Sequence, residues 1–449
     1  MSKPSPTRDL RVTVEGVRFE VNRSRMAEHC DYFGALFRSG MRECHRDELE
    51  ITGCITANGF SIMLRVLDDD DATPLRVDDV VDAVEAAGFL QVSALVAYLS
   101  AAVDSDNCVE MLVAASEYGV ERVRRCAAHF VRDVLDEPRF VSRLSLLSEE
   151  QRLHVSALQP SRLSAVGTYS SSNAYLDDKS RTVCCLDEVH NRWEVVTALP
   201  CSASSALAGI AVLNNKLYLV GGIRGMERDP VETTFCYDPL RRAWRELAGP
   251  NQPRYNLALL AHRDRLLAIG GEYGGIKLAT VESFDERAEE WSPCAPLPQA
   301  AAGAACATTL GRAFVCLWKP LDTTTISELD ADGEGWRRLA TLVKPQSYGH
   351  CMVAHRDNLY VIRNGPYDDF LHCAIDRYNI SSAAWTTLAG QYMNSKGALF
   401  SSVVKGDRVF TLNRMIAMPY AIEAERWRPL PALAGFPRGG TLHTFLLRL

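Results

Sequence analysis

Two kinds of hydrophobic pattern divide the chain near residue 160. Before it, apolar positions recur at helical spacing; beyond it they fall in short runs of β-branched and aromatic residues punctuated by glycine, asparagine and aspartate. In the first part, Arg11-Val12-Thr13-Val14 and Arg18-Phe19-Glu20-Val21 alternate on either side of Gly16 and predict a hairpin. A helix is expected from Ser24, as its N-cap, to about Ser39, because Met26, Cys30, Phe33 and Phe37 share one face. Further helices are expected at Thr56–Leu67, Asp78–Ala87, Ser93–Val103, Asn107–Tyr118 and Glu121–Asp136, with Gly119 separating the last two. Ser148–Gln159 reads as a connection.

The second part repeats. Trp193, Trp244, Trp291, Trp336, Trp385 and Trp427 are spaced by 51, 47, 45, 49 and 42 residues, and Trp318 falls outside the series. Asp187, Asp238, Asp285, Asp330 or Asn379 precedes each of the first five by six residues, closing an apolar strand. The sixth unit carries Ala421 there and is degenerate. Upstream lies a second apolar strand, as in Lys216-Leu217-Tyr218-Leu219-Val220-Gly221-Gly222 and Arg265-Leu266-Leu267-Ala268-Ile269-Gly270-Gly271, and before that a small-residue strand, as in Leu207 to Val212. Each unit therefore predicts a four-stranded antiparallel sheet.

A lone sheet of this kind exposes two apolar faces and becomes stable by radial stacking, which predicts a β-propeller of six blades. Small residues then belong nearest the crowded axis, and each tryptophan should fill the wedge between neighbours. The Gly-Gly pairs allow backbone angles and close approaches that a Cβ would penalise. The first unit lacks an inner strand, and Thr441 to Leu447 supply an orphan strand at the other end. The expected solution is that this last strand completes the first blade and closes the ring.

These units resemble the kelch repeat: a Gly-Gly pair after an apolar strand, then Tyr/Phe-Asp, then Trp six residues on. The match is fullest around Gly221-Gly222, Tyr237 and Trp244, and around Gly270-Gly271, Phe284 and Trp291. In later units Leu317-Trp318, Arg363-Asn364 and Asn413-Arg414 replace the glycines. In the first part, Glu20-Val21-Asn22-Arg23, Asp31 to Phe37, Met41-Arg42-Glu43 and Phe89-Leu90-Gln91 resemble the BTB (POZ) domain, and residues 104–136 resemble the helical pair that opens the BACK domain.

The fold class implied is a multidomain chain of α+β and all-β parts. A BTB/POZ domain is expected over 9–103, a shortened BACK-like helical region and linker over 104–160, and a six-bladed kelch propeller over 161–449. The family resemblance implies a non-catalytic substrate adaptor of a cullin-3 ubiquitin ligase: the BTB domain dimerises and docks cullin-3, while the propeller holds a protein substrate. A cytoskeletal scaffold, in which a BTB dimer presents two propellers without ubiquitin chemistry, is the alternative. The family docking motif, an apolar residue, any residue, then glutamate, falls on Met41 and Glu43. The plain alternative, Met41 as a cap on the core and Glu43 as a solvated charge, stays open. Asp68 to Asp71 stand where the family carries an aromatic strand, a self-repelling run that should avoid strand pairing.

Composition adds exclusions. The formal charge of -7 is uneven. Residues 1–160 hold 18 basic against 27 acidic side chains, and the rest 31 against 29. Neither part has the basic excess of a nucleic-acid binder. No apolar run is long enough to insert in a membrane, no secretory leader is expected, and the fourteen cysteines are scattered, so a reducing cytoplasmic setting is expected.

Propeller ligands meet the loops between second and third strands and between blades. Here those loops offer Arg224, Arg254, Tyr255, Glu272, Tyr273, Trp318, Lys319, Tyr348, Arg363, Tyr367, Asp368, Asp369, Lys396 and Arg414 as candidate substrate-binding residues. Arginine, tyrosine and tryptophan dominate protein-binding hot spots. Trp318 is expected in the turn before Lys319-Pro320, outside the repeat phase. His350, Cys351 and His355 invite a metal reading, but neighbours on a strand diverge and no second ligand pair follows, so no metal or other cofactor is expected. Without a phosphate loop or nucleophile elbow, catalysis is not expected.

Overall fold

In a computed structural model, the chain divides into two compact units, Met1–Leu158 and Gln159–Leu449. The structure describes residues 9–68, 75–135, 137, 140, 142–168, 182–225, 227–319, 323–330, 333–343, 348–364, 372–388, 392–393, 400–413, 416–436 and 441–449.

The first unit opens with the expected hairpin, β1 (Leu10–Val14) and β2 (Val17–Val21), whose turn uses Glu15 and Gly16 at positive φ. A third strand, β3 (Glu48–Ile51), pairs in parallel with β1. Its four-residue alternation was too short to stand out. The expected helix at Ser24 is two helices, α1 (Arg23–His29) and α2 (Asp31–Arg38). Asn22, not Ser24, is the cap: its backbone is extended, and its side-chain oxygen accepts from the Arg25 N–H at 2.8 Å. The break falls at Cys30, which is extended and whose thiol donates to the Leu90 carbonyl at 3.0 Å.

Five further helices follow the expected pattern: α3 (Ala57–Asp68), α4 (Val80–Leu90), α5 (Ser93–Ala101), α6 (Cys108–Glu117) and α7 (Glu121–Val134). The expected connection instead contains α8 (Glu149–Ala157), started by a capping box between Ser148 and Gln151. Phe33, Phe60, Leu90, Leu112 and Val131 belong to one continuous core. Asp69 to Asp71 lie outside the described residues, and Asp68 ends α3 beside Arg25.

Among the described residues, the second unit holds six larger sheets. Sheets two to six follow chain order, beginning at Gly209, Ala258, Ala305, Tyr348 and Ser401. Sheet one is composite. Thr441–Arg448 pairs antiparallel with Ser161–Thr168 along eight positions, followed by Thr182–Asp187 and Arg192–Ala198. Six hydrophobic clusters lie between successive sheets. One joins sheet six to sheet one through Phe410, Leu412, Leu163 and Trp193.

The repeat signature has a local cause. Asp187, Asp238 and Asp285 each accept from the backbone N–H groups two and three residues ahead, at 2.9–3.3 Å, which shapes the hairpin to the outer strand. That hairpin sets the tryptophan opposite the aromatic of the preceding strand: Tyr237–Trp244, Phe284–Trp291, Tyr378–Trp385 and Tyr420–Trp427 ring centroids lie 5.0–5.2 Å apart. The indole N–H groups of Trp291 and Trp336 donate to Ala248 and Ala295 of the preceding unit at 2.9 and 3.1 Å, so these side chains do bridge neighbouring sheets. The glycine pairs take positive φ, and a Cβ on Gly221 or Gly270 would stand 2.1 or 2.4 Å from the Arg254 or Ala301 carbonyl oxygen. Among the described residues, no helix is long and apolar enough to cross a membrane, and no group of ligating side chains could hold a metal ion.

Candidate functional site

Met41 and Glu43 follow α2, where the chain leaves the helix. Ser39 ends α2 by donating from Oγ to the Leu36 carbonyl at 2.7 Å, and the Met41 N–H donates back to that hydroxyl at 3.1 Å. Gly40 turns the chain at φ +71°, and Arg42–His45 form a single 3-10 turn. Met41 is left 60% exposed, with Glu43 also exposed. Beneath them Phe37 packs on the core, as expected, with the Arg23 guanidinium 4.3 Å above its ring. Arg23 also donates to the Arg46 carbonyl at 2.9 Å, tying the segment after Glu43 to the start of α1. A large apolar side chain thus stands free of the core on a braced turn, beside a solvated carboxylate.

In the second unit, the links between second and third strands differ along the chain. In sheet two, Ile223–Arg224 pairs with Asp229–Pro230; in sheet three, Glu272–Tyr273 pairs with Ile276–Lys277 around Gly274 and Gly275. Tyr255, from the link between sheets two and three, joins the second ribbon by exchanging backbone hydrogen bonds with Glu272 at 2.8 and 3.0 Å. Tyr255 and Glu272 are half-buried at the ribbon's base and Tyr273 is half-buried next to its turn, while Arg224 is exposed and donates to the Cys201 carbonyl at 3.3 Å. Three of the expected contact residues thus fall on these two ribbons, and Tyr255 bridges to one of them. Ile276, 71% exposed at the far side of the turn, was not among the expected residues, although an apolar residue directly after Gly-Gly marked it.

Arg254 and Arg363 do not lie on this surface. Arg254 has no exposed side-chain area and pairs with Glu282 at 2.5 Å; Arg363 is buried against Asp376. The expectation of a surface position fails for both because each guanidinium finds a carboxylate inside the sheet stack. Trp318 is not in a turn: its backbone lies within the strand Arg312–Lys319 and pairs with Thr324. Without a glycine pair, nothing turns the chain out of the strand there. Lys319 ends that strand and Tyr348 begins the first strand of sheet five. Tyr367, Asp368, Asp369, Lys396 and Arg414 lie outside the described residues.

His355 is buried, with Nε2 2.8 Å from Asp407 Oδ1 across the junction of sheets five and six. Burial pushes the Cys306 and Cys316 thiols up to about 12, as suits packing residues rather than nucleophiles.

Two family descriptions match the chain: a BTB/POZ domain over residues 2–107 and a Kelch motif over 205–251 and 253–298. Over 440 residues the chain is 49% identical to Kelch repeat and BTB domain-containing protein 13 of Homo sapiens, covering 98% of this chain and 95% of that protein. The protein of the same name from Mus musculus is 48% identical over 446 residues, covering 99% and 96%. Kelch-like protein 42 of Mus musculus is 30% identical over 292 residues, 58% of this chain and 59% of that one.

Proposed function

The chain belongs to the BTB–kelch family, and from that premise we propose that it is a substrate-recognition adaptor of a cullin-3 ubiquitin ligase with no catalysis of its own. In this reading residues 9–103 are the BTB/POZ domain, which pairs two copies and docks cullin-3 through Met41 and Glu43. Residues 104–160 are a shortened BACK-like region. Residues 161–449 form a six-bladed propeller closed by the C-terminal strand, which holds a protein substrate in the cytoplasm. The closure is supported by the pairing of Thr441–Arg448 with Ser161–Thr168 and by the cluster between sheets six and one.

The observation that carries the docking reading is the exposed Met41 on its braced turn. An apolar side chain so exposed and rimmed by charge suits a hot spot, where a partner's pocket supplies the burial the fold withholds. For the substrate, the ribbons with Arg224, Tyr255, Glu272, Tyr273 and Ile276 are the favoured edge; Trp318, Lys319, Tyr348, Tyr367, Asp368, Asp369, Lys396 and Arg414 remain proposed contacts. Capture of purified cullin-3 by wild type and by a Met41→Ala/Glu43→Lys double variant tests the docking. Loss of capture with dimerisation intact is expected. Equal capture by the variant overturns the assignment of the motif, and no capture by wild type favours the scaffold.

A further inference from the structure

Arg254 sits at the root of the sheet-three ribbon. Its Nη1 donates to two carbonyls at once, Gly270 at 3.0 Å and Thr280 at 2.9 Å, which are the two ends of the ribbon's neck. Those ends are joined to each other by the Gly270 N–H donating to the same Thr280 carbonyl at 3.1 Å. Nη2 donates to the Thr280 hydroxyl at 3.1 Å and to Glu282 Oε1 at 2.5 Å, and Nε donates to the Gln252 carbonyl at 3.1 Å. Glu282 in turn accepts from the Asn251 and Gln252 N–H groups at 2.7 and 3.0 Å. Burial pulls the guanidinium below its usual value, with Glu282 opposing that shift.

We infer that Arg254 is a positioning residue: it fastens the link carrying Tyr255 and both legs of the Glu272–Lys277 ribbon into one preformed element. The inference rests on reading that ribbon as a binding edge, but the clamp can be tested without a partner. Three chain segments meet at one planar group, and only a fork of fixed geometry reaches the carbonyls of both legs together with a carboxylate. Lysine would keep the charge opposite Glu282 and lose the bridge. The ribbon offers few apolar contacts of its own, since Gly274 and Gly275 form its tip and Ile276 projects outward, so its order is drawn from the neck. Fixing it in advance lowers the ordering cost of association.

Hydrogen exchange by mass spectrometry on the full chain, wild type against Arg254→Lys, Arg254→Gln and Thr280→Val, tests this. For Arg254→Lys and Arg254→Gln, the amides of Tyr255, Glu272 and Leu278 should exchange roughly tenfold faster or more, with sheets four to six unchanged, as loss of two or more neck hydrogen bonds implies. Thr280→Val should give a smaller effect in the same amides, and serves if the arginine variants do not fold. Restoration by lysine would reduce the role to charge alone and overturn the inference, as would uniform acceleration across the second unit or no change in the ribbon. None of these results bears on cullin-3 capture, so failure here and failure of the adaptor reading are separable.

Discussion

Replacing Phe445 by alanine isolates what the C-terminal strand contributes. Phe445 lies opposite Ser164 in sheet one and is 6% exposed, packed in the cluster that joins sheets one and two with Val166, Val183, Ile210, Leu217 and Leu219. Removing a buried phenyl ring costs about 3–5 kcal/mol, from lost transfer energy and the cavity left behind. For a unit with a urea slope of about 2–3 kcal/mol per molar, the midpoint should fall by roughly 1–2.5 M. All seven tryptophans lie between residues 193 and 427, so intrinsic indole fluorescence reports the second unit alone. Val195→Ala, at a position 58% exposed in the outer strand of the same sheet, is the control and should move the midpoint little. If Phe445→Ala behaves like the control, the last strand does not hold sheet one in place, and the proposed closure is wrong.

Two further effects follow from burial and backbone geometry. Gly270→Ala places a Cβ 2.4 Å from the Ala301 carbonyl at φ +59°, and should cost about 1–3 kcal/mol in urea unfolding; a neutral result would show that this junction yields. Burial pushes His262 and His443 down to about 4, so the native state keeps both neutral while the unfolded chain binds protons below about pH 6.5. Their stabilising contribution is complete above that value and is lost as pH falls towards 4, by up to about 1.4 kcal/mol per pH unit for each histidine. A urea series from pH 7.5 to 5 should therefore steepen below 6.5 and flatten in a His262→Gln/His443→Gln variant; the same slope in both would refute the assignment.

Much of the second unit was legible because its markers are covalently short-range. Aspartate, hairpin and tryptophan lie within six residues of one another, so the bonds that shape Asp187, Asp238 and Asp285 are written into the repeat itself. The strand pairing between Thr441–Arg448 and Ser161–Thr168 was also readable, since one unit lacked a strand that the chain end supplied. In the first unit the helices announced themselves by period. The break at Cys30 did not, because the thiol's acceptor is Leu90, sixty positions away.

The site was less legible for the same reason. Arg254 and Arg363 have the composition of hot-spot residues, yet what decides their place is a carboxylate on a strand further along: Glu282 for one, Asp376 for the other. Arginine in a linker says that a fork-shaped cation is present, not whether it faces a partner or the neck of the loop beside it. Met41 is the opposite case. It was singled out by the family resemblance of Met41-Arg42-Glu43, and the exposure it has in the structure rests on Ser39, Gly40 and the Arg42–His45 turn, all within a few residues. The exposure of a side chain is thus readable where its support is local. Where the support comes from a neighbouring strand, the same residue types can mark the scaffold or the surface, and an arginine expected at the surface can instead sit buried at the neck of the ribbon beside Tyr255.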